Sequence, residues 1–150
     1  LDTLSRNLTL LHSWKENTRY HLVMDKEFAA DSAGRKLLKT DTLTFLTKKL
    51  AEYGSFKIRF KNLDIPLNPV LQLLSNDVLY QSIPLTGNVI SKALFPPGEY
   101  ELRILYDRNK NGKWDPGNFF GKKLQPELVK PVSRKITVKA GGANEFDITL

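Results

Sequence analysis

EYELRILYD (residues 99–107) alternates apolar and polar side chains. Tyr100, Leu102, Ile104 and Tyr106 share one face, while Glu101 and Arg103 share the other. Successive side chains leave a pleated chain on opposite sides, so this period marks a strand with one buried face. The rhythm returns in FKIRFKNL (56–63), where Phe56, Ile58 and Phe60 oppose Lys57, Arg59 and Lys61. It returns again in RKITVKA (134–140) and EFDITL (145–150). Further strands are predicted over NLTLLHSW (7–14), YHLVMD (20–25), DTLTFLTKK (41–49), VLQLLSND (70–77) and VLYQSIPL (78–85). Helical periodicity is weak: AADSAGRKLLKT (29–40) has room for one short helical turn, which Gly34 interrupts. Turn formers separate the strands at SND (75–77), TGN (86–88), PPG (96–98), NKNG (109–112) and AGG (140–142). Many short strands at even spacing predict an all-β fold, an antiparallel β-sandwich.

The 150 residues are 41% apolar and 26% charged, enough for a packed core and ordinary for a globular chain. A boundary is predicted near LAEYGS (50–55), dividing the chain into residues 1–50 and 51–150. The first part holds too few strands to close a sandwich, which leaves open sheet edges. The formal net charge of +7 suits anionic partners. The basic residues are dispersed and form no block, so ordinary solubility accounts for them and no nucleic-acid partner is expected. The absence of cysteine excludes disulfides, thiolate catalysis and Cys-ligated zinc. No apolar run approaches the roughly 18 residues of a membrane span. The chain opens on Leu1 rather than Met, which reads as a processed form from which any targeting signal has been cut away.

WKENTRYHLVMDKEFAADSAGRKLLKTDTLTFLTKK (14–49) resembles the second half of bacterial Ig-like domains of surface proteins. The likeness rests on an aromatic-ended strand at Tyr20, the DSAG turn (31–34), and a closing T-F-x-T strand from Thr44 to Thr47. LFPPGEYELRILYDRNKNGKWDPGNFFGKKLQPE (94–127) resembles the C-terminal module that follows such domains in surface lipoproteins of Bacteroides-type bacteria. FPPGEYELRILYD is similar, more loosely, to transthyretin-like (prealbumin-like) sandwiches. These resemblances imply a Greek-key sandwich preceded by a partial Ig-like sheet. They also imply export to the cell surface or outer membrane. Any membrane attachment would run through a lipid anchor outside this chain, and no activity is implied. In PPGEY, Pro97 and Gly98 suit the centre of a type II turn, and the Tyr100 hydroxyl is placed to close a tyrosine corner.

DRNKNGKWDPG (107–117) raises the one chemical question. Asp107, Asn109, Asn111 and Gly112 match the first six places of the D-x-[DN]-x-[DN]-G calcium pattern. The Lys113 carbonyl falls at the seventh place and Asp115 at the ninth. The twelfth is Asn118, where the pattern needs a bidentate Glu. Arg108, Lys110, Lys113, Lys122 and Lys123 further lower cation affinity. A Ca²⁺ site here would therefore bind weakly, on the order of 10⁻⁴ to 10⁻³ M as in extracellular modules. The same residues also make a metal-free turn, because Asn and Asp bond their own backbone and tolerate left-handed conformations.

Beyond the turn, Trp114, Phe119 and Phe120 cluster with Lys122 and Lys123. Exposed, such rings stack on sugars; buried, they staple the loop to the sandwich, the reading favoured for a long connection. His12 and His21 have no nucleophile elbow near them and read as structural. Glu99 and Glu101 read as a solvated strand face. There is no HExxH and no phosphate-cradling Gly-rich loop. The expected function is a non-catalytic structural or binding module of an exported, surface-anchored lipoprotein. Its partners would be other domains of the same polypeptide, surface proteins or glycans. Two alternatives stand beside it: a carbohydrate- or anionic-polymer-binding module using residues 107–127, and a weakly calcium-stabilised adhesion module. A carboxylate-based enzyme at Asp107 and Asp115 is the remaining option.

Overall fold

The computed structural model describes residues 9–118, 120–121 and 123–150. The chain falls into two compact units, Leu1–Lys49 and Leu50–Leu150.

Among its described residues unit 1 contains one hairpin, β1 (Arg19–Met24) paired antiparallel with β2 (Asp41–Leu46). Tyr20 lies opposite Phe45 and stacks on it at 5.9 Å. Trp14 meets both rings edge-on, and His12 joins Trp14 and Tyr20. No residue from 9 to 49 is buried. Residues 9–14 form no strand, so the strand expected over 7–14 is absent as far as it lies within the described residues. The expected helical turn in 29–40 is absent too. Asp31 folds that segment into a loop instead: its carboxylate accepts the Ala33 and Arg35 N–H groups, and Ala30 bridges Lys36. A short acceptor side chain competes for the N–H groups that a helix would use.

Unit 2 is the sandwich. Its strands are β3 (Gly54–Lys61), β4 (Pro69–Ser75), β5 (Val78–Pro84), β6 (Val89–Phe95), β7 (Gly98–Tyr106), β8 (Val129–Val138) and β9 (Ala143–Thr149). One sheet has the order β6-β3-β9 and the other β5-β4-β7-β8. Alternation sends Phe56, Ile58, Phe60, Leu71, Leu73, Leu102, Ile104, Ile136 and Ile148 into one core between them. Fully burying each such side chain contributes about 1.5–3 kcal/mol. Asn76 and Asp77 join β4 to β5 with φ of 50° and 62°, the two left-handed positions of a type I′ turn. The Tyr100 hydroxyl donates to the Pro96 carbonyl at 3.0 Å, closing the expected corner. Gly98 opens β7 at φ 156°, away from the roughly +80° of a type II turn. The Tyr100 ring folds back over it.

Two further features depart from the sequence reading. The sandwich is not wholly antiparallel, because β9 runs parallel to β3 from Ser55↔Ala143 to Lys61↔Thr149. Alternation is the same in either direction, so the pattern in 145–150 carries no sign of it. β6 was also not foreseen. Only Phe95 in it is buried, and Leu94 takes φ 51°, which breaks the period.

Candidate functional site

The site begins where β7 ends. Its last residue, Tyr106, is in the core, and the next side chain, Asp107, is the first buried charge. The Asp107 N–H donates to the Asn68 carbonyl, which anchors the loop base to the β3–β4 connection. One Asp107 carboxylate oxygen accepts the Asn111 N–H at 3.2 Å, and the other accepts the Gly112 N–H at 2.6 Å. Gly112 has φ +75°, the turn that sixth-place glycine permits.

The alternate positions then form a ladder of Asx turns. Asn109 Oδ1 accepts the Asn111 N–H at 3.0 Å, and Asn111 Oδ1 accepts the Lys113 N–H at 2.7 Å. Both Asn amides donate to the same Asp115 oxygen, at 2.6 Å from Asn109 and 2.9 Å from Asn111. One turn thus holds Asp107, Asn109, Asn111, Lys113 and Asp115.

Glu127 is the residue that the sequence reading missed. It is 5% exposed. One of its oxygens accepts the Arg108 N–H at 2.8 Å and the other the Asp115 N–H at 3.1 Å. It therefore clamps both ends of the turn. Its carbonyl accepts the Trp114 indole N–H at 2.9 Å, and its N–H donates to the Asp115 carbonyl. The Arg108 guanidinium reaches the Gln125 carbonyl. Counting twelve places along a contiguous loop lands on Asn118. The chain instead makes an excursion closed by the Asn118–Leu124 bridge and returns at Glu127. One signal was available: Glu127 is the only acidic residue between Asp115 and β8.

The excursion carries the other predicted residues. Trp114 is half-exposed although its indole is tethered, and Phe120 is 98% exposed. The indole of Trp114 is thus tied to the loop through Glu127. Lys123 is exposed with φ 51°. Phe119 and Lys122 lie outside the described residues. Gly117 has φ +81°, and a Cβ there would sit 2.4 Å from the Leu124 carbonyl oxygen.

Chemically, the turn is a set of hard oxygen donors already engaged by N–H groups of its own loop. Asp115 holds two amide donors where a cation would otherwise draw its charge. Among the described residues no group of three or more His, Cys, Asp or Glu side chains stands ready to hold a metal ion. His21 pairs with the Thr44 hydroxyl at 2.8 Å, and Glu101 with Lys135 at 2.6 Å. Comparison with models of known families and with curated proteins gives no match.

Proposed function

We propose that this chain is a non-catalytic β-sandwich module of an exported, surface-anchored bacterial lipoprotein, and that it presents the 107–127 loop to a partner. One observation carries the loop's part: the Asp107 and Glu127 carboxylates bond N–H groups of the loop backbone, while Trp114, Phe120 and Lys123 are exposed. A turn rigidified from within can hold rings and cations in place for a partner. Export and surface attachment rest on the likeness of residues 94–127 to surface lipoprotein modules. The ligand class that fits rings flanked by lysines is an acidic glycan or another anionic polymer.

The test is a titration with heparin or alginate, read by Trp114 fluorescence in a Trp14→Phe background. Binding that weakens with salt and is lost in Phe120→Ala and Lys123→Glu supports the reading. Silence toward both polymers, or equal binding of neutral dextran, would sink it.

A second reading has its own observation. Glu127 brings a carboxylate to the turn, the ligand type that the twelfth place lacks. Calcium drawing on Asp107, Asn109, Asn111, the Lys113 carbonyl, Asp115 and Glu127 would stiffen the same surface. The Asn109 and Asn111 amides would first have to turn away from Asp115. A calcium-specific rise in melting temperature, absent in Asp107→Ala, supports it. A ligand at about 100 times its Kd adds roughly 2.7 kcal/mol, which is several degrees for a domain of this size. An unchanged melt at about 10 mM calcium, above the weakest affinity of extracellular modules, would leave the turn metal-free.

A further inference from the structure

A second concavity uses the other residues of the turn. It lies between the 107–112 turn, the Ile65–Leu67 3-10 segment and the end of β5, and encloses about 530 Å³. That volume falls within the range of small-molecule sites, roughly 300–1,000 Å³. Ile65, Pro69, Val70, Pro84 and Leu85 line it, and Lys110 supplies the charge at its edge. Val70 and Leu85 are 3% and 6% exposed, so the floor is packed against the sandwich and is not a loose patch. None of Trp114, Phe120 or Lys123 takes part.

The electrostatics select one class of occupant. Asp107 is the only acidic residue in the lining, and both its oxygens accept N–H groups from Asn111 and Gly112. Its side chain is buried, so the exposed charge of the lining is that of Lys110. Lys110 is exposed and makes no ion pair among the described residues. Its backbone sits at φ 61°, a conformation that costs a non-glycine residue energy and is held here by the surrounding ladder of Asx turns. A proline-walled apolar floor beside one unpaired ammonium fits a ring or short chain that ends in an anion. We propose that this groove binds a small amphipathic carboxylate, with its apolar part over Val70 and Pro84 and its carboxylate at Lys110. The site stands apart from the polymer-binding surface and survives if that reading fails.

The experiment is amide NMR of the whole chain, titrated with phenylacetate, benzyl alcohol and benzylamine. Phenylacetate is expected to shift the amides of Val70, Leu85 and residues 110–112 together, with a Kd on the order of millimolar for so few atoms. Benzylamine should bind at least about tenfold more weakly, as should phenylacetate to Lys110→Glu. Lys110→Gly keeps the left-handed backbone, so weakened binding in that variant separates lost charge from lost loop geometry. Equal binding of acid and amine, or no response at Val70 and Leu85, overturns the proposal. Floor shifts that follow protein concentration alone would assign the groove to a second copy of the chain and overturn it as well.

Discussion

Glu127 joins the backbone N–H groups of Arg108 and Asp115 through a buried carboxylate. Bonds to a charged acceptor contribute about 1.5–3 kcal/mol each, and removing the acceptor leaves two donors to be satisfied. We expect Glu127→Ala to lower the stability of unit 2 by about 2–4 kcal/mol, with Glu127→Gln nearer half of that. Urea denaturation followed by Trp114 fluorescence measures it; a loss below about 0.5 kcal/mol, the level of an ordinary surface change, would remove the clamp from the account. Tyr100 gives a residue-scale test with a pH sign. Burial, followed by the neighbouring Tyr80, raises its phenol above 10.0. The folded state then keeps a proton that the unfolded state releases, so its contribution is present below pH 10.0 and falls away as pH rises above that. Tyr100→Phe should cost about 1 kcal/mol at neutral pH through the lost bond to Pro96 and should flatten the alkaline limb of a stability curve. An unchanged alkaline limb would count against burial as its cause. Both residues differ in how well the sequence announces them. Tyr100 follows a Pro-Pro-Gly turn at corner spacing and could be read directly. Glu127 acts on residues from which it is separated by an excursion, and no local pattern encodes that return.

At the scale of elements, the alternating strands were readable because burial on one face writes itself into every second residue. β3, β4, β5 and β7 all fall where the alternation or apolar runs place them. β6 is an edge strand with little buried surface, so hardly any apolar signal was required of it. β8 begins before its alternating part and contains Pro131, which an edge position tolerates. The parallel pairing of β3 and β9 leaves its trace only in charge. Glu145 lies opposite Lys57 and Asp147 opposite Arg59, and Arg59 meets Glu145 at 2.6 Å. The hydrogen bond from Arg59, then its charge, holds the Glu145 carboxyl below 4.5. A depressed folded value means that this stabilisation is present above pH 4.5 and is lost as pH falls through the lower folded value. Arg59→Gln should therefore flatten the acid limb of unit 2 and make it less sensitive to salt. Acid limbs that superimpose in wild type and variant would show the pair contributes nothing to the parallel edge.

Across the whole molecule, the two tryptophans divide between the two units. Trp14 sits in the aromatic group of unit 1, and Trp114 on the clamped loop of unit 2. The units differ sharply in burial. Among the described residues every buried apolar side chain belongs to unit 2, and no residue from 9 to 49 is buried. A single two-stranded hairpin is marginal in water, because its pairs and ring contacts contribute only about 0.2–1 kcal/mol each against the entropy of ordering the chain. We therefore expect two separate transitions in urea. In Trp114→Phe, the remaining Trp14 should report a shallow transition at low urea. In Trp14→Phe, Trp114 should report a later, steeper one, because unit 2 exposes far more apolar surface on unfolding and the slope scales with that surface. Coincident midpoints and equal slopes would overturn this, and would require unit 1 to draw its stability from apolar cover that its own hairpin does not supply. The same pair of variants also isolates each proposed ligand effect. Calcium, polysaccharide or carboxylate acting at unit 2 should move the Trp114 transition and leave that of Trp14 in place.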